Sequence, residues 1–452
     1  MRYKPSKFNY MVYNENKELL LYNSNIGTSS FGKIRSKNAN MIYELLSKDH
    51  VKIDDKNKMI VDCMAEKGFL VTNETDEDAN CYNSYLKLIN NNYLHLVINP
   101  TDKCNFRCVY CYENYKNDRM SNETQTSIIE FVKREIYKFE GLKVSWFGGE
   151  PLLELDIIEN LSRKFIEICS KLKRSYMATI TTNGYLLNKE TFEKLLKLKI
   201  LHYQITLDGL KLTHDIQRPL KNGNGTFDTI VNNLLDIKKY CNHSFYNISL
   251  RTNFTRTLFL YRNEYFKFLE ENFMDNKHFD VLIRVASNWG GDRVKNISEN
   301  LIDNQNYIKD ILSSMKKYNL RFQLMKDMFN PGRNFCYASQ INSYSINSNG
   351  EISKCTTDLD NSRFAKIGYI AKNKIIIDHD KEIKWITNYN DTCSCFFKPV
   401  CMGIKCPKAN YESKFISNSD KKYVIPCPFE KQNIKELFLL FDHAGEFPFI
   451  EV

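Results

Sequence analysis

The chain has 452 residues, 42% of them hydrophobic, with a formal net charge of +10. This length exceeds one ordinary domain and suits two to four, and the apolar content excludes a disordered chain. No run of 18 apolar residues predicts a transmembrane helix, the first residues lack the apolar core of a signal peptide, and the basic residues form no stripe interleaved with aromatics. The expectation is therefore a cytoplasmic protein with no membrane and no nucleic-acid partner. Its surplus of lysine makes a solvated surface, with an acidic peptide as the sharper alternative.

Residues 1–80 read as a small α+β unit. Phe8, Tyr10 and Val12 alternate, a turn falls at Asn14–Lys17, and ELLLYN supplies a second strand. In SKNANMIYELLSKD, Met41, Ile42, Leu45 and Leu46 share a helical face. A second helix follows Asp54–Asp55 and ends near Gly68, before the short strand FLV. This order suits a winged helix-turn-helix. The acidic stretch NETDEDANCYN at 73–83 reads as a linker.

Residues 81–325 alternate apolar strands with amphipathic helices. The strands are LHLVINP, KVSWFGGEP, YMATITTNG, LHYQITLDG, NISLRTNFT and DVLIRVAS. In the first helix Ile128, Val132 and Ile136 share a face, and Ser121 or Asn122 can cap it. Six strand–helix units predict an α/β fold with a parallel sheet shaped as a partly closed barrel, with ligand-holding loops at the strands' C-terminal ends. Residues 326–430 lose this periodicity and gather cysteine, Pro, Gly and Asn, so metal staples would help them fold. In 431–452, KELFLLFDHAGEFPF reads as one closing helix.

Fourteen cysteines in a cytoplasmic chain point to metal or catalysis rather than to disulfides. Cys63, Cys81, Cys169 and Cys241 are scattered and read as small core side chains. Cys104, Cys108 and Cys111 follow the first strand of the alternating region with Cx3Cx2C spacing. Zinc usually takes four ligands from paired knuckles, whereas three thiolates on a 4Fe–4S cluster leave one iron open.

This spacing, with Tyr110 before the last Cys, resembles the signature of the radical S-adenosylmethionine (AdoMet) superfamily. WFGGEP resembles its GGE motif, TTNG and ITLDG end the third and fourth strands as in that family, and HDIQRP and RTNFT follow. The resemblance implies a partial (β/α)6 TIM-like barrel. In it Cys104, Cys108 and Cys111 bind the catalytic cluster, and Gly148, Gly149 and Glu150 meet the AdoMet amino group. Asn183 and Thr206 would line its ribose and carboxylate end, and Arg218 would meet the carboxylate. Asp208 and Asp215 are candidate general bases.

The later cysteines, C…Gx4C followed by Cys393, Cys395, Cys401, Cys406 and Cys427, resemble the SPASM iron–sulfur domain. Cys393 and Cys395 stand one residue apart where that domain has two, and Cys401 and Cys406 four apart where it has three. By this resemblance Cys393, Cys395, Cys401 and Cys427 hold an outer auxiliary 4Fe–4S cluster. Cys336, Cys355 and Cys406 hold an inner one with an open iron, for which YASQINSYSINS offers no further Cys. A zinc ribbon is the alternative. The first unit resembles the leader-recognition domains of peptide maturases.

Together these resemblances imply three 4Fe–4S clusters, AdoMet, an external electron donor such as flavodoxin or ferredoxin, and a ribosomally made precursor peptide with a leader. The implied reaction is a Cys thioether crosslink. C–C crosslinking, epimerisation, formylglycine formation on a sulfatase, and a non-catalytic regulator remain alternatives.

Overall fold

The computed structural model describes the chain except residues 1, 56, 114, 116–117, 242, 289–292, 303, 359–365, 372–373, 387–388, 391 and 416–426. In the first unit β1 (Tyr3–Pro5) is followed by β2 (Asn9–Tyr13), β3 (Leu19–Asn23) and β4 (Gly32–Ile34). Helices α1 (Ser36–Leu46) and α2 (Lys58–Glu66) lead to β5 (Leu70–Thr72). β2, β3 and β4 form an antiparallel sheet, and β1 pairs with β5. The β2–β3 turn is closed by Asn14, whose side-chain oxygen accepts from the amides of Asn16 and Glu18, while Lys17 takes φ 59°.

The stretch expected as a linker is instead a helix, α3 (Glu77–Ile89). Asp76 caps it by accepting from the amides of Asp78 and Ala79, and Glu77 and Asp78 sit in its first turn, where acidic charge meets the positive end of the helix dipole. The acidic run is a helix start signal. Cys81 and Tyr85 on α3 are buried with Phe8, Phe335, Met402 and Ile404. The residue-80 boundary therefore falls inside an element packed against the first unit and against Phe335, Met402 and Ile404 of the cysteine-rich region.

Six parallel strands follow: β6 (Tyr93–Ile98), β7 (Gly141–Trp146), β8 (Ser175–Thr182), β9 (Ile200–Thr206), β10 (Asn247–Phe254) and β11 (Phe279–Val285). They pair in sequence order and leave β11 unpaired with β6. Helices connect them: α4 (Asn122–Glu135), α5 (Leu155–Lys171), α6 (Lys189–Lys197), α7 (Lys211–Gln217), α8 (Phe227–Tyr240), α9 (Arg256–Leu260) and α10 (Arg262–Phe273). α4 starts at Ser121, whose hydroxyl accepts from the Thr124 amide, and buries Ile128 and Val132 with the following Ile136. The expected α/β architecture with a parallel sheet is thus present.

The sheet does not stop at β6. β12 (Ser343–Ile346) pairs parallel to it, and β13 (Glu351–Ser353), β14 (Lys366–Ala371) and β15 (Lys374–Ile377) continue antiparallel, giving ten strands. The β12–β13 hairpin turns at Gly350, φ 83°, and delivers Cys355 just past its second strand. The last helix spans only Ile434–His443. Gly445, φ 79°, ends it, and Phe447–Val452 runs extended against β4 rather than extending the helix.

Candidate active site

The loop after β6 carries Cys104, Cys108 and Cys111, and backbone pairing fixes it on two sides. The Arg107 amide donates to Pro219 O at 2.8 Å, the Val109 amide to Gln217 O at 3.0 Å, and the Lys221 amide to Asn105 O at 2.8 Å. This pairing sets Arg218 against the cysteine loop. On the other side the loop lies on the turn after β7. A Cβ at Gly149 would stand 2.3 Å from the carbonyl oxygens of Asp102 and Lys103, and one at Gly148, φ 120°, 2.6 Å from Thr101 O. These glycines are required because backbone packs on backbone there.

Cys104, Cys108, Tyr110, Cys111, Gly148, Gly149, Asn183, Thr206 and Arg218 line one cavity, with about 960 Å³ of atom-free space, part of it open to solvent. Phe106, Tyr112, Tyr115, Gln204, Arg251 and Asn253 are among the other residues of the wall. The sequence reading had not assigned roles to these six; for Arg251 and Asn253 the usable signal was RTNFT at a strand end.

Glu150 is placed otherwise. Its carboxylate is fully buried and accepts from the Leu152 amide at 3.0 Å, the Thr182 hydroxyl at 2.7 Å and the Asn183 amide at 2.7 Å. It buckles the ends of β7 and β8, and burial raises its pKa against those hydrogen bonds. The candidate bases are also structural. Asp215 accepts from the amides of Thr226 and Phe227 at 2.7 and 2.8 Å and so starts α8. Asp208 is fully buried; it accepts from the Tyr110 hydroxyl and from the Asn253 amide at 2.7 Å.

Tyr110, half-buried, forms one network with the buried Asp208, Arg218 and Asn253. Arg218 Nη1 donates to the Tyr110 hydroxyl at 2.6 Å and lies 3.9 Å from Asp208. Arg218 Nε has no hydrogen-bond partner. Arg218 is a buried cation in the cavity wall, the charge an anionic ligand group would meet.

Burial pushes the Cys104 thiol far above its ordinary range, with Glu150 and Cys108 adding, and holds Cys108 at about 11 against the pull of Arg218. Such thiols ionise only against a strongly positive partner. Among the described residues no three His, Cys, Asp or Glu side chains gather round one ion position. The three thiols line the cavity together, a three-cysteine donor set of the kind that holds an iron–sulfur cluster. Tyr115 donates to Cys111 Sγ at 3.4 Å, its ring held between Arg107 and Arg293.

The later cysteines fall into two groups. Burial pushes Cys336 up to about 12, with Cys355 and Cys406 adding their charge. Burial likewise pushes Cys401 up to about 12, with Cys393, Cys395 and Cys427 adding theirs. Tyr112 is half-buried in the cavity wall, and burial raises its pKa, with Glu113, Cys111 and Cys355 adding. Among the scattered cysteines, Cys81 and Cys169 are buried, and Cys63 and Cys241 half-buried. Among the described residues no helix is long and apolar enough to cross a membrane.

The Radical SAM superfamily matches residues 98–256. An uncharacterized protein of Methanocaldococcus jannaschii is 28% identical over 267 residues, which cover 58% of this chain and 85% of that protein. The Fe-coproporphyrin III synthase of Methanosarcina barkeri is 29% identical over 139 residues, 31% of this chain and 32% of that enzyme. The GTP 3',8-cyclase of Clostridium perfringens is 36% identical over 127 residues, 26% of this chain and 35% of that enzyme. This chain thus spans about a third of the length of those two enzymes. Among solved structures, native anSMEcpe with bound AdoMet and the Kp18Cys peptide is 18% identical with a TM-score of 0.57, covering 78% of this chain and 97% of that one. That likeness is one of fold. Residues 98–256 are thus the part of this chain that is similar to the radical SAM superfamily.

Proposed function

We propose that the chain is a peptide-modifying radical AdoMet enzyme that forms a Cys thioether crosslink in a ribosomally made precursor. The observation that carries this reading is one cavity lined together by Cys104, Cys108, Cys111 and the buried cation Arg218. Cys104, Cys108 and Cys111 would hold the 4Fe–4S cluster that the superfamily implies. Cys336, Cys355 and Cys406 would hold an inner auxiliary cluster, and Cys393, Cys395, Cys401 and Cys427 an outer one. When bound, these groups supply the reductive cleavage of AdoMet to methionine and a 5′-deoxyadenosyl radical, and an acceptor for the electron left over on crosslinking.

The chain's own residues do the rest. Arg218 orients the AdoMet carboxylate while Asp208 and Tyr110 fix its guanidinium. Gly148 and Gly149 hold the cysteine loop against the sheet. Phe106 and Tyr115 exclude water from the reactive space. The N-terminal unit, packed on the C-terminal third through contacts such as Tyr22 to Phe329 and Lys33 to Asp442, is read as the domain that captures a leader.

Anaerobic reconstitution followed by reduction with AdoMet tests the enzyme class, read as 5′-deoxyadenosine and methionine in equal amounts. Intact AdoMet would overturn it. With a precursor peptide, the thioether reading expects loss of two hydrogen atoms and of one alkylatable thiol. Hydrogen loss with the thiol intact points to a C–C crosslink, unchanged mass with an inverted centre to epimerisation, and an aldehyde to formylglycine; each rejects the thioether.

A further inference from the structure

The segment Phe447–Val452 turns back at Gly445 and lies along β4, the outer strand of the N-terminal sheet. The Lys33 amide donates to Pro448 O at 2.8 Å, and the Ile450 amide donates to Lys33 O at 2.9 Å. The segment is thus a short parallel strand added to a sheet edge.

The side chains of Phe449, Ile450 and Glu451 are each received by a distinct feature. Ile450 is 6% exposed and packs in the core of Leu19, Leu21, Ile34 and Ile42. Gly32 makes room for it, since a Cβ there would stand 2.2 Å from Ile450 Cδ1. Phe449 lies beneath Lys33 Nζ at 4.7 Å and the Arg35 guanidinium at 4.3 Å. Glu451 pairs with Arg35 at 3.2 Å, and Asn38 in α1 donates to Val452 O at 2.8 Å. An open strand edge, an apolar socket and two cations are the parts a domain uses to capture an extended peptide. Phe447, stacked on Phe31 with ring centroids 4.4 Å apart, anchors the start of the segment, and the attachment beyond it is lighter. Phe449 is 41% exposed, the Arg35–Glu451 pair is solvated, and exposed pairs hold weakly.

We propose that the slot between β4 and α1 is the strand-addition site for an extended peptide bearing an aromatic–aliphatic–acidic triplet, and that Phe449–Ile450–Glu451 fills it as an intramolecular competitor. This rests on reading the N-terminal unit as a peptide-recognition domain. A precursor must displace the segment, so its apparent affinity falls by the fraction of chains in which the slot is closed.

The probe is a fluorescent synthetic peptide of sequence AGEFPFIEV, residues Ala444–Val452, added to the full chain and followed by anisotropy. The double variant Phe449→Ala/Ile450→Asp empties the slot and is expected to bind the probe at least tenfold more tightly than wild type. Adding Gly32→Ala should remove that gain by filling the socket. Equal binding by wild type and the double variant overturns the proposal and leaves the segment as a structural staple. Hydrogen exchange of the wild type covers the case in which the variant misfolds. The Ile450 amide should exchange far faster than those of Leu20 and Leu21, and faster still with excess probe while Lys33 stays protected. An Ile450 amide as slow as β3 sinks the idea. A precursor that binds wild type without competition from the probe rejects the slot and leaves the recognition-domain reading standing.

Discussion

Replacing Gly149 by Ala adds one methyl group where there is no space for it. The new Cβ would stand 2.3 Å from two carbonyl oxygens, of Asp102 and Lys103, and 2.6 Å from a carbonyl carbon. An ordinary contact needs about 1 Å more. The obstacles are backbone atoms of the cysteine loop, so no rotamer change relieves them. Gly149 does not have a positive φ, so the cost is a clash and not a lost left-handed conformation. The loop must move away from the turn, and overpacking of this kind costs roughly 1–3 kcal/mol. The displaced loop carries Cys104, so the geometry of the three thiols should suffer more than the fold. Iron and sulfide content after anaerobic reconstitution, with Tm, reads both effects. The expected result is a loss of about four iron per chain, one cluster's worth, with Tm lowered by only a few degrees. Full iron content with unchanged Tm would refute the claim that these glycines hold the cysteine loop in place.

Replacing Cys104, Cys108 and Cys111 together by Ala should likewise remove about four iron and abolish AdoMet cleavage, while iron on the later cysteines remains; surviving cleavage would show that the ligands are misassigned. Asp208→Asn leaves Arg218 as a buried charge without its counter-ion. It should weaken AdoMet binding by tenfold or more, and the fold by about 3–5 kcal/mol, read by calorimetric titration and urea unfolding. Burial, with Lys143 and Lys354 adding, holds His95 at about 4 against an ordinary 6.5. The folded state therefore favours neutral His95; the stability it contributes is present above pH 6.5 and lost as pH falls through 4, by about 3 kcal/mol. His95→Gln should flatten the urea midpoint between pH 7 and 4, and an unchanged slope would rule His95 out as its source. Ser121→Ala, which removes the α4 cap, should cost about 1 kcal/mol and leave iron content unchanged.

Local chemistry carries much of this protein. The strand–helix alternation of residues 93–285 follows from hydrophobic periodicity, and each strand lies where LHLVINP, YMATITTNG and their counterparts put it. The cysteine loop, the paired glycines and the turn at Gly350 were legible because backbone conformation is set by neighbouring residues. The acidic run at 73–83 was misread because its charges were counted as solubility, while Asp76 was spending them on a helix N-terminus. Long-range contacts were not legible at all. Nothing local says that Glu150 faces Thr182 and the Asn183 amide rather than a ligand, or that Asp208 is taken by Tyr110 and Asn253. Nor does it say that β12 extends the parallel sheet, or that Phe449–Ile450 returns to an edge more than 400 residues earlier in the chain. Sequence by itself determined which residue types are available for chemistry and which elements carry them. Tertiary structure decided which polar groups are used up inside the protein and which are left facing the cavity, because a buried side chain's partner is fixed by how distant elements pack and not by its neighbours along the chain.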